Sequence, residues 1–273
     1  MRNLIALVFL VGCTTYVGSD GFEPPDVDPT FDSARIDPVD AAFTGVGLGV
    51  EYERVNTGNG VLIVYGGYTA RMSYSAGWAT ELVDQELGAL GVGQIYAVKG
   101  PQDPGYDAKE IANTKLRAHL KTVDDGVSPI FVIAHSSGSY VAHELFQQMV
   151  RRGETSFLSR VRYADLDGGG SGLDDDIVDG MASIAFVYAR DSVAGESHNA
   201  GAARFLGDAY SPKASAVRVS VDHTGCNTGA SWCMHDVVVT HRPHNHSTFD
   251  LADDYTDFDG RPVTTEYFGS ITD

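Results

Sequence analysis

The sequence is short of cysteine, of basic side chains and of long apolar runs, and each shortage narrows what it can be. Cysteine occurs three times, an odd number, so the thiols cannot all pair with one another inside the chain. Lys and Arg together number 19 against 37 Asp and Glu, for a formal net charge of −18. A surface of that sign repels phosphate backbones and anionic headgroups, so no nucleic-acid partner and no electrostatic membrane binding are expected. The apolar run nearest the start, residues 4–11, is too short to cross a bilayer as a helix. No internal repeat is visible.

What remains is a chain of 273 residues with 43 % apolar content, enough for one good-sized domain with a core. The start, Met1-Arg2-Asn3, is short and basic, and residues 4–11 read as the apolar centre of a signal peptide. That run closes on Leu10-Val11-Gly12-Cys13, which resembles the lipobox of bacterial lipoproteins: small residues before a cysteine. The resemblance implies cleavage before Cys13, diacylation of its sulfur, and a lipid anchor to a membrane of the cell envelope or surface. In such an exported, oxidising setting Cys226 and Cys233, close together in a Gly/Asn/Ser-rich stretch, are expected to form a disulfide. Two free thiols are the alternative. Residues 13–42 carry the lipidated Cys13, then Pro24, Pro25, Pro29 and Pro38 among acidic side chains, and read as an extended tether. The three expected segments are therefore 1–12, a signal peptide; 13–42, lipidated cysteine and tether; and 43–273, the folded domain.

From residue 43 the pattern changes. Residues 46–54 alternate with glycines as a strand does, and Asn56-Thr57-Gly58-Asn59-Gly60 is turn chemistry. Residues 61–65 are an apolar β-branched run suited to a fully buried strand. The turn between these two strands predicts that they pair as an antiparallel edge. Helical spacing follows over 78–90 and 107–123, with a short strand at 94–98 between them. A buried strand is expected at 129–134, a helix at 140–150, strands at 161–166 and 184–188, a short helix at 174–181 and a last strand at 216–221. Buried strands alternating with helices predict a mostly parallel sheet covered on both faces.

One segment bears chemistry. Ile130-Phe131-Val132-Ile133-Ala134-His135-Ser136-Ser137-Gly138-Ser139-Tyr140 is a buried strand, then small-X-Ser-X-Gly, then a helix. It resembles the nucleophile elbow of the α/β-hydrolase superfamily. The turn from strand to helix is so sharp that residues two before and two after the nucleophile must be small. Ala134 and Gly138 meet that condition around Ser136, with Ala134 where glycine is usual. Ser137 and Ser139 do not have small residues in the same frame. A Ser/Gly turn capping an ordinary helix is the plain alternative reading.

The resemblance implies the rest of the site. An oxyanion needs two donors. One is the backbone N–H of Ser137, after the nucleophile. The other comes from Tyr65-Gly66-Gly67-Tyr68-Thr69, after the third strand, at Gly67 or Tyr68, with Tyr68 favoured. The acid follows the next-to-last strand, which makes Asp191 the candidate, with Asp165 or Asp167 as rivals. The base follows the last strand, where His223, His235, His241, His244 and His246 compete. His235 is favoured because the Cys226–Cys233 bridge would brace its loop. The implied fold is the α/β-hydrolase fold, and the implied activity is hydrolysis of carboxylic esters, of lipids or other small molecules, by a Ser–His–Asp triad. No metal or organic cofactor is required, and a monomer is expected. Zinc binding by His235, His241, His244 and His246 matches no common spacing. Calcium binding by Asp165, Asp167 and Asp174-Asp175-Asp176 lacks the EF-hand pattern. The rival from another class is a surface lipoprotein that keeps the fold and only binds a ligand or partner.

Overall fold

A computed structural model describes residues 43–68, 70–101, 106–168, 173–189 and 214–219 of the chain. Eight strands alternate with five helices there: β1 Thr44–Gly45, β2 Val50–Arg54, β3 Gly60–Tyr65, α1 Met72–Leu82, β4 Val92–Val98, α2 Tyr106–Val123, β5 Ile130–His135, α3 Gly138–Arg151, α4 Thr155–Leu158, β6 Val161–Leu166, α5 Asp175–Gly180, β7 Ser183–Ala189 and β8 Ala214–Val219. The strands form one sheet in the order β1-β2-β4-β3-β5-β6-β7-β8. From β4 to β8 every neighbouring pair is parallel, while β1 and β2 run antiparallel to each other and β2 runs antiparallel to β4.

The apolar runs explain the layering. Every residue of β3, β4 and β5 is buried, which only a strand covered on both faces achieves. Val61, Ile63 and Tyr65 of β3 share a cluster with Leu116 of α2 and Leu145 and Phe146 of α3. The alternate residues Leu62 and Val64 are equally buried and face the side where α1 packs on β3 and β4. Each such aliphatic side chain contributes about 1.5–3 kcal/mol by leaving water. The result is the expected α/β-hydrolase fold: a mostly parallel sheet, helices on both faces and an antiparallel edge.

Three expectations need correction. The strand expected at 46–54 is broken: residues 46–49 turn the chain back, with Val46 N–H donating to Val50 O at 2.9 Å, and only Val50–Arg54 is strand, paired with β1. The strands on either side of the 56–60 turn do not pair with each other, because β4 lies between them. The turn runs across the N-terminal end of β4 and feeds its backbone. Val55 N–H donates to Gly93 O at 2.9 Å, Gly60 N–H to Gly91 O at 2.9 Å, and Asn56 Nδ2 to Val92 O at 2.8 Å. A connection of that length clears the ~10 Å taken by one intervening strand, which a two-residue hairpin turn cannot. The helix expected at 78–90 also begins earlier, at Met72, and passes into one π-helical turn, Val83–Leu87, closed by Gly88 N–H on Val83 O at 2.9 Å. Its first turns meet the sheet through small side chains. Ser75 is fully buried and donates from Oγ to Val98 O at 2.8 Å, and Ala76 is buried beside it. Such a stripe gives almost no hydrophobic signal in sequence.

Candidate active site

The sheet's C-terminal edge gathers the chemistry-bearing segment. β5 leaves the sheet at His135, and α3 starts three residues later at Gly138. Ser136 between them has φ +55°, the left-handed region that a Cβ-bearing residue occupies only at a cost of about 1–3 kcal/mol. Two hydrogen bonds hold it there: Ser136 N–H donates to Leu166 O at 2.9 Å, and Ser136 O accepts from Ser139 N–H at 3.1 Å. The demand for small neighbours has a visible cause. A Cβ on Gly138 would lie 2.6 Å from Gly66 O and 2.8 Å from Tyr65 O, so α3 can begin there only as glycine. Ala134 is fully buried in β5, on the α3 face.

The start of α3 is electrostatically open. Ser137 occupies the N-cap with no side-chain capping bond, and no acidic residue lies in the first turn. No acidic residue of the helix itself offsets its positive end at the elbow. Beside it runs the loop after β3. Gly66 N–H donates to Val98 O at 3.2 Å, and Ala70 N–H to Gly67 O at 3.0 Å, which folds the loop back over the sheet edge. A Cβ on Gly67 would stand 3.2 Å from Ser136 Cβ and 3.2 Å from His135 Nδ1, so this backbone lies directly against the elbow. Tyr68 follows, its side chain 60 % exposed. Among the described residues, no hydrogen bond takes the backbone N–H of Ser137 or of Tyr68.

A second polar group lies under the elbow on the α3 face. Asp165 of β6 is buried, and its Oδ1 accepts from Ser139 Oγ at 3.0 Å and from Gly168 N–H at 2.9 Å. Its Oδ2 accepts from the Tyr163 hydroxyl at 3.3 Å, with His143 Nε2 at 3.6 Å. His143 Nε2 also lies 3.0 Å from the Tyr163 oxygen. Burial, together with the neighbouring Asp165, pushes the Tyr163 phenol well above its ordinary pKa, so it stays a donor. A parallel link joins β3 to the same helix: Tyr65 donates to Asn113 Oδ1 at 2.8 Å, and Asn113 Nδ2 to Val141 O at 2.7 Å. Burial likewise raises the Tyr65 pKa.

The residues expected from sequence divide by position. Ser136, Ser137 and Tyr68 stand together at the edge where β3 and β5 end. Asp165 sits below the elbow, and Asp167, at φ +47°, is buried just beyond β6. Asp191, His235, His223, His241, His244, His246, Cys13, Cys226 and Cys233 lie outside the described residues. Asp174 serves as N-cap of α5, and among the described residues no three His, Cys, Asp or Glu side chains gather as a metal site. Sequence reasoning missed Tyr163, His143 and Asn113. A signal existed: Tyr163 and Asp165 are two apart on a strand, and Ser139 and His143 four apart on a helix, so each pair shares a face.

No family model matches the sequence, and no curated protein does. Among solved structures the chain is similar to a protein from Thermus thermophilus, at 12 % identity and TM-score 0.44, over 63 % of this chain and 84 % of that one. It is similar to an α/β serine hydrolase without lid from Xanthomonas campestris, at 13 % identity and TM-score 0.41, over 62 % and 76 %. A fungal esterase from Rhizomucor miehei aligns at 12 % identity and TM-score 0.46, over 62 % and 69 %. Likeness at this level concerns the path of the chain alone. The fold stands on the strand order and on the turn that follows β5.

Proposed function

We propose that this chain, an α/β-hydrolase by fold, is a serine hydrolase of carboxylic esters with Ser136 as its nucleophile. The observation that carries the reading is the backbone of Ser136: a non-glycine residue held at φ +55° between a buried strand and a helix start, with Gly67 packed against it. Strain of this kind persists only where the surroundings impose it, and it concentrates at functional sites. In this reading the strained turn presents the Ser136 hydroxyl beside the backbone N–H groups of Ser137 and Tyr68, which no hydrogen bond takes among the described residues.

The reading implies acyl transfer to water. His235 takes the Ser136 proton as Oγ attacks the ester carbonyl, and Asp191 holds the imidazole tautomer and balances its charge. The carbonyl oxygen becomes an oxyanion, which accepts from the N–H groups of Tyr68 and Ser137 at the positive end of α3. The imidazolium returns its proton to the leaving alkoxide, the C–O bond breaks, and an acyl-enzyme remains. Water, deprotonated by the same imidazole, attacks the acyl carbon; the acyl C–Oγ bond then breaks, the imidazolium returns its proton to Ser136 Oγ, and the acid leaves.

Asp191 and His235 are assigned by chain order, acid after β7 and base after β8. Lipidation at Cys13, the Cys226–Cys233 bridge and an envelope location belong to the same reading, and lipid or other esters reachable from a membrane surface are its substrates. The test is a fluorophosphonate probe on the purified domain, with the labelled peptide mapped. Label on Ser136, lost in Ser136→Ala and in His235→Ala, is expected. A folded protein that takes no label contradicts the hydrolase reading and favours its rival, a lipoprotein that keeps the fold and only binds.

A further inference from the structure

We propose that Asp165 is a positioning residue for Ser136, a clasp that locks the elbow rather than the acid of the triad; the inference rests on the serine-hydrolase reading. Two turns with left-handed, non-glycine residues lie side by side at the sheet edge: Ser136 at φ +55° after β5 and Asp167 at φ +47° after β6. They are joined by Ser136 N–H on Leu166 O. Neither turn is relaxed alone, so something must hold both. Asp165 reaches each of them with one oxygen. Its Oδ1 takes the Ser139 hydroxyl from the first turn of α3 and the Gly168 N–H from the turn after β6. Its Oδ2 takes the Tyr163 hydroxyl, which also meets His143 further along α3.

The packing leaves no slack in this clasp. A Cβ on Gly168 would stand 1.9 Å from Ser139 Oγ and 2.1 Å from Asp165 Oδ1, so the turn closes on the carboxyl as glycine only. Asp165 and Tyr163 face α3 from β6, and Ser139 and His143 face them from one side of the helix. Both carboxyl oxygens are committed to this side, beneath the elbow. A triad acid needs an oxygen presented to the catalytic imidazole; the oxygens of Asp165 instead face Ser139, Gly168 and Tyr163, inside the frame that carries Ser136. Freeing α3 from β6 lets Ser136 Oγ drift, and a displacement of ~1 Å lowers a rate by up to about a hundredfold.

The experiment compares Asp165→Ala with Asp165→Asn, which keeps Oδ1 as an acceptor and gives up the charge. Three readouts are taken: fluorophosphonate labelling rate, kcat and KM on a p-nitrophenyl ester, and amide exchange of the peptide spanning Ser136 and Ser139. Asp165→Ala is expected to lower the labelling rate and kcat about 10- to 100-fold, with KM changed by less than about threefold, and to speed exchange at the elbow. Asp165→Asn is expected to recover most of the loss. An acid of the triad behaves otherwise: there Asn is as damaging as Ala, by on the order of a thousandfold or more, and that result overturns the proposal. Wild-type rates in Asp165→Ala overturn it as well. If Asp165→Ala does not fold, Ser139→Ala, which removes one arm of the clasp, must show the same kcat loss and faster elbow exchange, or the proposal fails. Should the wild-type protein take no label, the hydrolase reading fails separately, and unchanged elbow exchange in these variants then dismisses the clasp too.

Discussion

Ser136 pays for its position in backbone energy, and that is measurable. Glycine adopts φ +55° without a Cβ clash, so Ser136→Gly is expected to be more stable than Ser136→Ala by about 1 kcal/mol, while neither turns over substrate. Urea denaturation of both variants checks it; equal midpoints contradict a strained elbow. Gly138 carries the opposite prediction. Its missing Cβ faces the backbone oxygens of Gly66 and Tyr65 rather than a flexible side chain, so Gly138→Ala must push α3 off β3. A loss of roughly 1–3 kcal/mol is expected in the same assay, with labelling at Ser136 reduced. The backbone geometry of these residues was legible in sequence, because the small-X-Ser-X-Gly spacing states a steric rule that the fold obeys. The hydrogen bonds of Asp165 were not. A carboxyl at a strand end reads as a candidate acid until its partners Ser139, Tyr163 and Gly168 are seen, and those are brought together only by packing.

At the scale of elements, the frame around β5 and β6 is tied by charge as well as by apolar surface. Glu154, just before α4, accepts from Arg117 Nη1 at 2.5 Å and from Lys121, both on α2. Burial alone pushes the Glu154 pKa up, but the hydrogen bonds from Lys121 and Arg117 outweigh it and hold the carboxyl below its ordinary 4.5. A depressed folded-state pKa gives stability that is complete above 4.5 and fades as pH falls through the lower folded value. Thermal melts from pH 6 down to about 3 should therefore fall less steeply for Glu154→Gln than for the wild type. Parallel slopes would mean the cluster contributes nothing. Strand and helix order could be read from apolar runs broken by glycine and turn residues. Pairing could not, since the segment 55–59 looks like a hairpin turn and only its hydrogen bonds to the end of β4 reveal a strand inserted beside it. The early start of α1 escaped for a related reason: Ser75 and Ala76 bury surface without being strongly apolar.

For the whole molecule, we propose a lipid anchor at Cys13 carrying the hydrolase-fold domain. In a bacterial host, labelled palmitate should enter the full-length protein and the membrane fraction should hold it; Cys13→Ser should abolish both. Retention of palmitate by the variant would refute the anchor. Ser136 and Ser137 lie in one continuous strand-turn-helix segment and Tyr68 follows β3, the strand paired with β5, so these three could be named from local patterns at two strand ends. The acid and base are distant in sequence, and the histidines after β8 are many. Chain order alone selects among them, and spacing does not separate His235 from His223. The measurement that bears most directly on the central claim is therefore covalent. The domain is treated with a fluorophosphonate, and the modified residue is located by peptide mass in the wild type and in His235→Ala. Modification of Ser136, at least about a hundredfold slower without His235, is the predicted result. A folded wild-type protein left unmodified, or modified at another serine, would contradict it.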